Sequence, residues 1–381
     1  MLRRFCAIVA LVLATSGCGA RAGVFTQLKE KWDPANDPFI MLPNNYVFEF
    51  DALPLNGALK SEPWADSYWP SKHGGLAQRW IDGVDGHRVT PVRPEAAKRM
   101  ASKEMAHLSP AEKFDIFVGD DEMSLFNNEI LRTHPSDGPW FGICHGWAAA
   151  SIAFKEPKAV VVKGPSGIEV PFASSDIKAL LSLHSAEYAA VSTKFLASRC
   201  NDDLSKNPNA GKNPECRDVN AGAFHLVLAN LIGRMKEGFA ADVTRGLEVW
   251  NQPISGYKTR VIGESRGRSP GADYWTFKEV TVETEMFYGA EIPPSWESTG
   301  SNMRSKVYKY RLEISRRGRI VGGEWLTNDR PDFMWQNSNP KLVDSGSDRG
   351  VNTIAWSQLQ KIYDAGIAAT ADVPDPTKVT R

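Results

Sequence analysis

Gly142-Ile143-Cys144-His145-Gly146-Trp147-Ala148 is the stretch on which the reading of this chain turns. A glycine-rich turn from Asp137 to Gly142 leads into it, and the small residues Ala148 to Phe154 follow as a buried-helix pattern. A thiol between two glycines at a helix start can be approached closely by a substrate backbone. The helix N-terminus favours its thiolate, and the N–H groups of the first turn can hold an oxyanion. The plainer reading is a buried structural cysteine, the commonest fate of a free thiol.

The cysteine count weighs against the plainer reading. Arg3 and Arg4 precede the short apolar run Phe5 to Ala14, and Ala20-Arg21-Ala22 fits a small-residue cleavage site, so residues 1–22 read as an export signal. The competing cut lies before Cys18, which would make a lipid-anchored protein. Either route takes the chain out of the cytoplasm, as a secreted or periplasmic protein. Of the 5 cysteines, Cys144, Cys200 and Cys216 remain beyond the leader. Cys200 and Cys216 flank a polar loop, and a disulfide closing it would stabilise by about 3 kcal/mol. Cys144 is then the odd thiol in an oxidising compartment.

Working outward, residues 23–110 are turn-rich, with Trp64, Tyr68, Trp69 and Trp80 as exposed aromatics of an irregular extension wrapped on a larger body. Short helices are expected between Ala111 and Leu131. A hairpin is expected at Ala159 to Val162 and Ile168 to Val170, with helices over 174–198 and 221–236. Strands follow at 239–243, 248–250, 257–262, 280–287, 306–314 and 319–325. Helices first and strands afterwards predict an α+β fold. The expected divisions are an extension over 23–110, a catalytic core over 111–262 and a β-rich region over 263–381.

A nucleophilic cysteine needs a base, usually histidine, oriented by a third polar group. Of the 7 histidines, His225 opens a predicted helix among apolar neighbours, and Asp242 follows 17 residues later on an apolar strand. A buried carboxylate needs a partner, and a histidine is one of few available. Cys144, His225 and Asp242 therefore form the expected triad, with Asn251 as the rival third member. The order resembles the papain-like arrangement, although papain-like enzymes carry the histidine on a strand and His225 falls on a helix.

The composition narrows the alternatives. With 45 Lys+Arg against 45 Asp+Glu, the formal charge is zero, which removes the electrostatic footprint of a nucleic-acid binder. Beyond the leader no stretch approaches the roughly 20 apolar residues of a membrane span. No metal, P-loop or dinucleotide motif is present.

Val249-Trp250-Asn251-Gln252-Pro253-Ile254-Ser255-Gly256-Tyr257-Lys258 closely resembles the short peptide of the oomycete transglutaminase elicitors, with the VWNQP core identical. The PW…YWP segment at Pro63 to Pro70, the GICHGWA segment, and GGEW…PDFMW at Gly322 to Trp335 keep the same family order. The resemblance implies a secreted protein-glutamine γ-glutamyltransferase with a papain-like core, acting on proteins that bear Gln and Lys. Its nucleophile carries over to Cys144, and its base and third member to His225 and Asp242. Trp147 and Trp250, with Trp140, would shield a thioester from water. Calcium dependence is also implied, although the sequence shows no calcium loop. The same machinery would serve a cysteine protease or a glutamine deamidase. The reading from another class is a non-enzymatic secreted binding protein with an aromatic-rich surface.

Overall fold

The computed structural model describes residues 35–42, 44–188, 193–197, 218–244, 248–327, 329–337 and 354–378. The expected leader over 1–22 and the expected pair Cys200 and Cys216 lie outside the described residues.

The first half of the chain is helical: α1 (Pro94–Ala97), α2 (Ser102–Ala106), α3 (Pro110–Val118), α4 (Ser124–Arg132), α5 (Cys144–Ala153) and α6 (Ser174–Leu183). Local chemistry sets their ends. Ser109 and Glu112 form a reciprocal capping box at α3, Pro110 occupies its first turn, and Gly119 closes it at φ 82°. Asp115 accepts from the Leu125 and Phe126 N–H groups at 3.1 and 2.9 Å, which fixes the start of α4. Between α5 and α6 lies a small hairpin, β2 (Val160–Lys163) with β3 (Glu169–Phe172), close to where alternation predicts it.

Past Leu183 the helix does not continue to residue 198 as expected. It loosens into a π turn over His184–Tyr188, and Thr193–Leu196 forms strand β4. The reason is long-range: β4 pairs antiparallel with β10 (Met334–Asn337), which local propensity cannot anticipate. Next comes α7 (Ala221–Leu228), capped by the Asn220 side chain, and a π turn over Ala229–Met235.

The remaining strands are β5 (Phe239–Asp242), β6 (Asn251–Arg266), β7 (Thr276–Gly289), β8 (Met303–Ser315) and β9 (Ile320–Trp325); helix α8 (Trp356–Ala368) follows β10. Glu248 to Trp250, expected as a strand, instead forms the approach to β6. The sheet order is β4-β10-β5-β6-β7-β8-β9, antiparallel at every pairing, with β1 (Asn56–Ala58) added to β6. The fold is thus α+β, a helical half beside one large antiparallel sheet. The expected boundary at 262/263 falls inside β6, so the regions on either side of it share that sheet.

Among the described residues two large apolar cores hold the layers together. One lies between α7 and the sheet, around Phe224, Leu226, Ile254, Tyr308 and Leu312. The other gathers α3 to α6 around Phe114, Phe117, Trp147, Phe172 and Leu180. Helix α5 joins them, with Ala148 in the first core and Trp147 and Ala150 in the second. Trp64 and Trp69, expected as exposed, are 3% and 0% exposed and belong to the second core. Burying side chains this large is among the strongest local contributions to folding.

Candidate active site

The start of α5 packs against β6 and β5. Its first residue, Cys144, is 4% exposed and is a free cysteine among the described residues. The Cys144 Sγ donates to the Val249 carbonyl at 3.8 Å, and the Asn251 Nδ2 donates to Sγ at 3.5 Å. Asn251 is itself held by the Trp335 indole, whose Nε1 donates to Oδ1 at 2.7 Å. The sheet register makes this constellation: Asn251 opposes Asp242 across β6 and β5, and Trp335 on β10 opposes Ala240 on β5. The Asp242 carboxylate accepts from the N–H groups of Thr244 and Trp250 at 3.1 and 3.2 Å, so it shapes the approach to β6.

The two glycines around Cys144 have a different purpose from the one the sequence suggests. A Cβ on Gly142 would lie 2.3 Å from the Tyr68 carbonyl oxygen, and one on Gly146 would lie 2.1 Å from the Ser182 carbonyl oxygen. They let the turn sit on the Tyr68–Trp69 backbone and let α5 close on α6, so they position the thiol through packing. No side chain caps α5, whose N-cap is Ile143, and the first-turn N–H groups face the thiol end of the helix.

Burial pushes the Cys144 thiol above the usual cysteine range; the Asn251 side chain and backbone pull it down, and the Glu291 and Asp242 charges push it up. Glu291 is raised as well, chiefly by its own burial, while the Gln252 Nε2 donates to it at 3.0 Å. Tyr68 packs edge-on against Trp250 at 5.1 Å, its hydroxyl donating to the Pro139 carbonyl at 2.6 Å. Burial and the charges of Glu291, Cys144 and Glu248 raise the Tyr68 phenol. Tyr68 and Trp250, both partly exposed, are the aromatic surface adjoining the thiol.

The expected Cys144–His225–Asp242 triad is not assembled. His225 is fully buried in the α7 core, where its Nδ1 and the Tyr310 hydroxyl are 2.7 Å apart and its ring lies 5.8 Å from Phe50. Tyr310 bonds in turn to Thr284, which pairs with Thr259 on β6. Thr259 stands eight positions beyond Asn251 along β6, roughly 25 Å at about 3.3 Å per residue. The helical pattern that buries His225 therefore places it against the wrong stretch of the sheet. Its pKa falls to about 4 by desolvation alone. Asn251, the rival third member, is the residue that touches the nucleophile.

The other histidines are engaged elsewhere or exposed. His73 pairs with Asp85 and His107 with Asp82, both at 2.6 Å, the His87 Nε2 lies 3.4 Å from the Ser71 carbonyl, His134 bonds Ser136, and His184 stacks on Trp356. His145 is exposed. Trp147 is a core residue, fully buried with its Nε1 donating to the Trp64 carbonyl, and does not line the site. Nothing local in the sequence marks Trp335, Glu291 or Tyr68 as site residues. Trp335 closes the PDFMW segment, but no local signal assigns it to Asn251. Among the described residues no group of three or more His, Cys, Asp or Glu is arranged to hold a metal ion.

The model of the transglutaminase elicitor family matches residues 136–362, well over half of the 381 residues. A crystal structure of the GP42 transglutaminase from Phytophthora sojae is similar to this fold with a TM-score of 0.64. The two are 23% identical, and the match covers 85% of this chain and 95% of that one, a likeness of fold. No curated protein sequence matches the chain.

Proposed function

The chain belongs to the transglutaminase elicitor family, and from that premise we propose that it is an exported protein-glutamine γ-glutamyltransferase acting through Cys144. The observation that carries the reading is the seat of Cys144: a free thiol at an uncapped helix start, with the Asn251 amide donating to its sulfur. A helix-borne cysteine packed on an antiparallel sheet is also the papain-like arrangement, which we include in the proposal.

The chemistry is acyl transfer. The Cys144 sulfur attacks the side-chain carboxamide carbon of a protein glutamine, and the first-turn N–H groups of α5 hold the oxyanion. The C–N bond breaks, ammonia leaves with a proton, and a thioester forms. A lysine amine then attacks the thioester carbon, the sulfur leaves, and an isopeptide bond results. Both steps need a group that takes up and returns a proton. The carboxylate charges that reach the thiol are those of Glu291 and Asp242. Asp242 is occupied by two backbone N–H groups, whereas burial holds Glu291 above the ordinary carboxylate range, nearer the pKa a base requires. Glu291 is the proposed base. Asn251, fixed by Trp335, orients the sulfur, and Trp250 and Tyr68 form the surface on which the acyl chain lies.

The test is incorporation of a fluorescent primary amine into a glutamine-bearing protein by wild type and Cys144→Ala, with and without calcium. Incorporation that vanishes in the variant is the expected result. Ammonia release or peptide cleavage that needs Cys144, without incorporation, would move the assignment to a deamidase or protease. No Cys144-dependent reaction of any kind would overturn it in favour of a binding protein.

A further inference from the structure

The far end of β6 bears a second feature that the acyl-transfer chemistry does not use. Beyond Tyr257 the strand leaves the body, and residues 260–268 are exposed throughout. At the tip, Tyr274, Trp275 and Phe277 are 73%, 44% and 43% exposed. Three large aromatics so close together are unusual on a solvated surface. The display is built rather than slack. The Gly267 N–H donates to the Phe277 carbonyl at 3.0 Å, and Ser269 bonds Glu279 through both its N–H and its hydroxyl at 2.8 and 2.7 Å. The buried Asp273 accepts from the Trp275 N–H at 2.9 Å.

Positive charge surrounds these rings. Arg266, Arg268, Arg316 and Arg317 are all exposed at this end. The Arg268 guanidinium lies 5.6 Å from the Tyr274 ring centre, and that of Arg316 lies 5.0 Å from Phe277. Acidic groups nearby have partners of their own: Glu264 pairs with Lys278, and Glu279 with Arg311. Among the described residues none of the four arginines is in an ion pair. The tip is therefore a local cationic end on a chain whose formal charge is zero.

We propose that this tip docks on an anionic lipid surface, with the three rings entering the headgroup layer and the four arginines engaging the phosphates. Amphipathic Trp and Tyr rings suit the headgroup depth, and arginine stems can lie along apolar surface while their heads meet phosphate. The ring geometry favours a bilayer over a polysaccharide. Tyr274 and Trp275 meet edge to face at 87°, and guanidinium groups cover the faces of Tyr274 and Phe277 that a sugar ring would stack on. β6 runs 16 residues from Asn251 to Arg266, so docking at the tip holds Cys144 on the order of 50 Å from the surface. The chain would then act on proteins standing above a membrane rather than within it.

The experiment is co-sedimentation of the purified, non-acylated protein with vesicles of 30% phosphatidylglycerol in phosphatidylcholine, against pure phosphatidylcholine. Binding to the anionic vesicles should exceed that to neutral ones at least tenfold and fall away in 0.5 M salt. The combined variant Tyr274→Ser, Trp275→Ser, Phe277→Ser should lose at least tenfold of the binding, as should Arg268→Glu with Arg316→Glu. Thermal midpoints and amine incorporation in solution report that each variant is folded and should match wild type. Equal binding by wild type and both variants would overturn the proposal. So would binding of an anionic polysaccharide without vesicle binding, or tip-dependent self-association without it.

Discussion

Cys144 and His225 are both nearly inaccessible, 4% and 0% exposed, and both are side chains that catalysis often recruits. Their surroundings separate them. Around Cys144 the β5–β6–β10 register brings an amide donor and an indole that holds it to the open end of a helix, within the field of the Asp242 and Glu291 charges. Around His225 there are Phe50, Tyr310 and the apolar face of α7, with Nε2 lacking a hydrogen-bond partner. Eight positions along one strand thus divide a site that can move charge from a core position that keeps its histidine neutral. Burial alone does not make a reactive residue catalytic; convergent polar groups do.

The sharpest way to press on the comparison is to remove each member and its supports. Cys144→Ala should lower amine incorporation by about 10³-fold or more, because no other group takes up the acyl chain. Glu291→Gln should cost about 10²-fold in kcat/KM and abolish the acidic limb of the pH profile, where activity rises as the carboxyl ionises. A profile with its acidic limb intact would remove Glu291 as the base. Asn251→Ala should cost about tenfold and slow alkylation of the thiol at fixed pH, since losing the amide bond raises the thiol further. An unchanged alkylation rate would show that the amide does not poise the sulfur.

The smallest effect on activity belongs to His225→Gln, expected within about threefold, with stability carrying the change. In the folded chain His225 titrates near 4, below its unfolded value of about 6.5. The unfolded chain therefore takes up a proton that the folded chain refuses as pH falls. Stability is complete above about 6.5 and is lost as pH drops toward 4, by on the order of 3 kcal/mol. The variant should lose that slope, measured as the denaturation midpoint against pH, and an unaltered slope would contradict the assignment.

Much of this was legible in the sequence, for reasons that also mark where legibility stops. Cys144 stood out because an odd thiol at a helix start is a local feature, and the α+β order follows from local periodicity. The hairpin at 160–172 likewise needs only its own alternation. His225 misled because a helical apolar pattern reveals burial but not which part of a sheet the helix covers. Gly142 and Gly146 misled similarly: their spacing announces a close approach, yet the approaching atoms are the carbonyls of Tyr68 and Ser182, distant in sequence. Trp335 reaches the site only through strand pairing, as β4 reaches its partner β10 more than a hundred residues away, and Glu291 only through the Gln252 side chain that donates to it beyond the end of β7. Asn251 sat within reach, since it starts the strand that faces Asp242, but only the register ranks it above His225.

The central claim, that the chemistry belongs to the Cys144 end of β6 and not to His225, is tested most directly by one side-by-side assay. Amine incorporation by His225→Gln and Cys144→Ala would be measured at pH 7.5, at a temperature where both are shown to be folded. The account predicts near wild-type kcat/KM for the first and none detectable for the second. Loss of activity in folded His225→Gln to the level of Cys144→Ala would contradict it and restore the histidine as the base.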